Sequence, residues 1–142
     1  MLNQHTIIGT LGRDPEIRSM NNGDKVANLS VATSESWKDK SSGERKERTE
    51  WHRVTTFNQG TIKYIEMACR KGVKVAVVGE VRTRKYQDSD GNDRYATETV
   101  IPNFGGQFKV LSSRKDAKEE SGDSGDSGGY NEPDDLDDEI PF

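Results

Sequence analysis

Residues 49–86 read TEWHRVTTF, NQG, TIKYIEMACRK, G, VKVAVVGEVRTRKY. The first block alternates in the manner of a strand. The third carries Ile62, Ile65 and Cys69 at i, i+3 and i+7, the spacing of one helix face, and Gly72 supplies a stop. This predicts a helix over 61–71, with Cys69 a small buried apolar residue rather than a nucleophile. The last block, 73–86, is rich in β-branched residues and reads as a long strand.

Outward from this centre the chain continues in strands. Residues 6–11 are β-prone, and Asn22-Gly23 is a tight-turn signal. In 26–36, Ala27, Leu29 and Val31 alternate with Asn28 and Ser30, a half-buried strand. Residues 38–48 are polar and read as a long hairpin loop. Residues 88–93 form a turn, 94–100 pair back, and 107–111 make a last short strand. Three strands, one helix and two further strands fit a closed, five-stranded Greek-key barrel of the oligonucleotide-binding (OB) type, an all-β fold with one helix between strands 3 and 4.

Strand parity carries the functional signal, because alternate residues share a face. Trp51, Arg53, Thr55 and Phe57 share one face, and Arg82, Arg84 and Tyr86 share another. Flat rings mixed with guanidinium groups make a poor core and a good surface for single-stranded nucleic acid. The rings stack on bases, each worth about 1–3 kcal/mol, and the cations meet phosphates. The competing reading puts Trp51 and Phe57 in the core; repetition of the pattern on a second strand weighs against it. Trp37 shares the parity of Leu29 and Val31, yet it stands beside a basic loop holding Lys38, Lys40, Arg45, Lys46 and Arg48. A bulge or bend would reconcile the two.

The chain has 142 residues, 30% hydrophobic and 32% charged, which is apolar-poor for a wholly folded globule. Its net charge of −4 hides a division. Residues 112–142 hold three basic and eleven acidic residues, a net of −8. Residues 1–111 hold the other 18 and 14, a net of +4. A basic body with an acidic tail points to nucleic acid. We therefore expect a binding domain over 1–111, a disordered Gly/Ser/Asp-rich linker over 112–133 and an acidic tip over 134–142. The tip ends in Asp137, Asp138, Glu139, Ile140, Pro141 and Phe142. It reads as a docking peptide with an apolar anchor, or as a solubilising tail.

Other chemistry is sparse. One cysteine permits no intramolecular disulfide, and with two histidines it leaves little for zinc. Asp88-Ser89-Asp90-Gly91 has Thr99 where a calcium loop needs its closing Glu. No acid, Ser or Cys forms a catalytic set with His52. No enzyme activity, metal or cofactor is expected. The chain lacks a long apolar run and a secretory leader, so a cytoplasmic location is expected, with no membrane partner.

Segments 12–16 (GRDPE), 31–37 (VATSESW), 49–54 (TEWHRV), 82–86 (RTRKY) and 93–95 (DRY), with the terminal DDEIPF, closely resemble the bacterial single-stranded DNA-binding protein family. The resemblance covers most of residues 5–111. It implies an OB-fold homotetramer around which single-stranded DNA wraps without marked sequence preference. It gives Trp37, Trp51 and Phe57 base-stacking roles, with Tyr86 standing where many members have Trp. It places His52 at a subunit interface and has the tip bind replication, recombination and repair enzymes. Arg18, Lys38, Arg53, Lys71, Arg82, Arg84 and Lys85 are assigned to phosphates. An RNA-binding OB-fold protein is the alternative, since rings and cations do not distinguish the two sugars. A nuclease and a pure interaction module are the remaining readings. The first would need clustered acids or a His-based acid–base pair; the second would make the rings an interface.

Overall fold

The computed structural model describes residues 1–112. The elements are β1 (His5–Leu11), β2 (Glu16–Ser19), β3 (Lys25–Lys38), β4 (Arg45–Thr56), α1 (Gln59–Ala68), β5 (Lys74–Gln87), β6 (Asp93–Ile101) and β7 (Gln107–Ser112). Antiparallel pairing runs from β1 to β3 to β4, and a parallel step joins β4 to β6. From β6 the antiparallel ladder passes to β5, which returns to β1. Five strands thus close an all-β barrel, while β2 adds to β3 and β7 to β5. Counted by barrel strands alone, the helix falls between the third and fourth. The spatial order, first-second-third-fifth-fourth, is that of the Greek-key OB barrel expected from the sequence.

The inward positions of the strands supply the core. Ile7, Leu11, Leu29, Val31, Val54, Val75 and Val77 are buried. Helix α1 joins this cluster through Ile62 and Ile65. It starts earlier than its periodicity predicts, because Asn58 caps it: the Asn58 side chain accepts from the Thr61 N–H at 3.0 Å. It also ends earlier, with Cys69 already in extended backbone. Cys69 is fully buried, and burial pushes its thiol up to about 11. The native chain will therefore resist iodoacetamide at neutral pH and react only in denaturant, as mass spectrometry would read.

Two further readings are corrected. The hairpin turn within 38–48 is shorter than expected and spans 39–44, since β3 and β4 stay paired in unbroken register out to Lys38↔Arg45 and 45–48 are strand. Solvent bathes both faces of this arm, so its sequence lacks the apolar alternation that marks a half-buried strand. Trp37 therefore needs no bulge. It keeps the parity of Leu29 and Val31, but the strand has left the barrel by the time it reaches Trp37. Strand β2 is the second correction; its only apolar residue is Ile17, too little to show a period.

No helix among the described residues is long and apolar enough to cross a membrane. Beyond Ser112, where β7 ends, the predicted linker and acidic tip lie outside the described residues.

Candidate nucleic-acid interface

The faces predicted by parity meet in space. On β4, Trp51 lies opposite Ala32 and Arg53 opposite Ser30. On β5, Arg82, Arg84 and Tyr86 lie opposite Glu98, Ala96 and Arg94. The parallel β4–β6 step brings the two sets together. The Thr55 hydroxyl donates to the Glu98 carboxylate at 3.0 Å. Glu98 also holds Arg84, 3.5 Å from its Nε. Arg84 in turn lies 5.8 Å from the centre of the Tyr86 ring, a cation–π contact. Thr55 is thereby buried, where parity alone grouped it with the exposed rings.

Between these strands opens a cleft of about 380 Å³, whose lining includes Trp51, Arg53 and Tyr86 together with Arg13 and Tyr95. Trp51 is 62% exposed and Tyr95 69%. Large rings left in water beside guanidinium groups offer the flat faces and positive charge that suit unpaired bases and their phosphates. Sequence reading missed Arg13 and Tyr95. Arg13 follows the end of β1 in a loop, and nothing local says that loop borders β4. Tyr95 has the parity opposite to Arg94, which lies across from Tyr86.

The seat of Trp51 is a glycine. A Cβ on Gly12 would stand 2.2 Å from Trp51 Cζ3 and 2.6 Å from Cη2. The indole lies against bare backbone, which the bond from Gly12 N–H to Ser30 O at 3.0 Å holds in place. Any side chain at position 12 must push the ring away. Gly12→Ala should weaken oligo-dT binding roughly tenfold, within the worth of one stacked base, and shift the tryptophan emission of the free protein.

The other expected residues are dispersed. Phe57, 47% exposed, sits in a separate depression with Arg82. Trp37, 44% exposed, stands on the β3–β4 arm opposite Lys46 and does not line the cleft. The turn at the tip of that arm is braced by Asp39. Lys46, at 2.7 Å, and the Ser41 hydrogen bonds hold the Asp39 carboxyl far below the usual carboxylate range. Arg18 lies on β2 in a pair with Glu16. Lys71 follows α1, where its backbone N–H donates to Asp14. Neither lines the cleft. Lys85 pairs with Asp93 at 3.0 Å, and Arg82 with Glu80 at 3.0 Å. These exposed pairs hold weakly and yield readily to a phosphate.

His52 is half-buried, and its Nε2 lies 2.8 Å from the Thr33 hydroxyl. The His5 ring meets it edge-on, with centroids 5.5 Å apart. The tip residues Asp137 to Phe142 lie outside the described residues.

The sequence profile of the Single-strand binding protein family matches residues 2–106. The Single-stranded DNA-binding protein of Rickettsia typhi is 43% identical over 148 residues, covering 99% of this chain and 97% of that protein. The protein of the same name from Rickettsia felis is 46% identical over 150 residues, with the same coverage. A solved structure, the Plasmodium falciparum SSB complex with ssDNA, superposes with a TM-score of 0.72 at 36% identity, covering 79% of this chain and 97% of the other. With a profile match spanning most of its length and relatives similar from end to end, this chain belongs to the single-strand binding protein family.

Proposed function

We propose that this protein binds single-stranded DNA without marked sequence preference, by stacking bases on exposed rings and meeting phosphates with arginine and lysine. The observation that carries this reading is the cleft where Trp51, Tyr86 and Tyr95 stand beside Arg13 and Arg53. Its opening is polar and charged, suited to a backbone, while the rings offer π-faces that every base can use. The same cleft disfavours a duplex, whose bases already stack on one another. Binding one strand and not two shifts melting equilibria and protects exposed DNA. Its role is binding rather than catalysis.

Membership of the family supports the rest of the reading. Residues 1–111 form the DNA-binding domain, 112–133 a tether, and 134–142 a tip. Four copies assemble, with His52 at a contact between subunits. Trp37, Phe57 and the cations Arg18, Lys38, Lys71, Arg82, Arg84 and Lys85 extend the DNA path beyond the cleft. The tip, with Ile140, Pro141 and Phe142 as anchor, concentrates replication, recombination and repair enzymes at cytoplasmic, nucleoid-associated DNA. Between its partners it competes with DNA for the basic body.

Fluorescence anisotropy of labelled oligo-dT, oligo-U and a duplex of equal length, each at two salt concentrations, tests the central reading. Tight oligo-dT binding that weakens with salt, weaker oligo-U binding and little duplex binding are expected. Equal oligo-U binding would favour an RNA partner, and no binding to any probe would make the rings an interface. Removal of 134–142 should raise oligo-dT affinity at low salt; unchanged affinity would end the competition idea.

A further inference from the structure

A second aromatic depression opens away from the Trp51 cleft. It encloses about 310 Å³, and its lining includes Phe57, Arg82, Pro102 and Phe104. Phe104 is 92% exposed and lines the same depression as the 47% exposed Phe57, so two large apolar rings stand in water together. Its loop is tightly built. Gly105 has φ +80°, and a Cβ on Gly106 would stand 2.6 Å from the Pro102 carbonyl oxygen. The close approach of Gly106 to Pro102 holds the turn that carries Phe104 at the rim of the depression.

We propose that Phe104 is a further base-stacking residue, forming with Phe57 and Arg82 a second subsite for an unpaired nucleobase and its phosphate. Continuity argues for this occupant. Phe57 prolongs the β4 face of Trp51 and Arg53, while Arg82 prolongs the β5 face of Arg84 and Tyr86. A strand leaving the cleft along these faces arrives at the depression. Arg82, whose ion pair among the described residues is with the half-buried Glu80, supplies a cation at its wall. The proposal rests on the reading of the chain as a single-strand binder.

The test uses the full chain and oligo-dT carrying 5-iododeoxyuridine, irradiated and mapped by peptide mass spectrometry. Cross-links at Phe104 as well as at Trp51 are expected. In parallel, Phe104→Ala should lower oligo-dT affinity roughly five- to twentyfold, toward the lower part of the range for one stacked base, with the assembly mass unchanged. Cross-linking at Trp51 but never at Phe104 overturns this proposal alone. So does a Phe104→Ala protein that changes its assembly mass while keeping its DNA affinity, which would make the ring a contact between copies. If the oligonucleotide does not bind at all, the single-strand reading fails first and the subsite with it.

Discussion

Replacing Trp51 with alanine will lower affinity for oligo-dT by roughly 5- to 150-fold, the worth of about 1–3 kcal/mol for one stacked base. Unfolding in urea will change little. The two effects separate because the indole is 62% exposed and rests on Gly12 rather than in the core cluster. Removing it leaves no internal cavity. Trp51→Phe should recover much of the affinity, since a smaller ring still stacks. Isothermal titration and urea denaturation on the same preparations read both quantities. A large loss of stability with unchanged affinity would instead make Trp51 a structural ring.

The second large effect lies in the core. Ile62→Ala should cost about 2–5 kcal/mol of unfolding free energy, because it empties space that neighbours refill only in part. Ile62 is 1% exposed and sits on the helix face buried against the barrel strands. Against a total stability of about 5–15 kcal/mol this is a substantial share. The urea midpoint should fall with little change in slope. Below the transition, oligo-dT affinity should match the parent, since Ile62 borders neither aromatic depression. A matching loss of affinity would couple the helix to the site in a way the geometry does not suggest.

What the sequence made legible follows from where water lies. The barrel segments of β3 and β5 have one wet face and one dry one, so alternation exposed them. The faces of Trp51 and Tyr86 were legible instead from the rings and guanidinium groups that share their parity. The β3–β4 arm has two wet faces. Its pairing is decorated by charges such as Arg48 against Glu35, and no apolar period reveals it. The buried stripe of helix α1 is legible as an apolar period, but its start is set by the Asn58 cap, which that period does not carry.

The site was legible strand by strand and not beyond. Parity placed Trp51 with Arg53 and Arg84 with Tyr86, but it could not say that β4 and β6 pair in parallel. That step buries Thr55 and joins the two sets of rings. Arg13, Tyr95 and Phe104 enter through tertiary proximity, from a loop, from the opposite parity and from a tight turn. Trp37 shows the reverse case. Its local context suggested exposure and its parity suggested burial. The length of the paired arm decides for exposure.

The central claim is that bases stack on Trp51. The chain has two tryptophans, so Trp37→Phe leaves Trp51 as the sole indole reporter. Titrating that variant with oligo-dT, while anisotropy of a labelled strand reports occupancy, tests the claim directly. Strong quenching that saturates with occupancy, and little response to duplex, is the expected result. A bound strand that leaves the Trp51 emission unchanged would contradict the account.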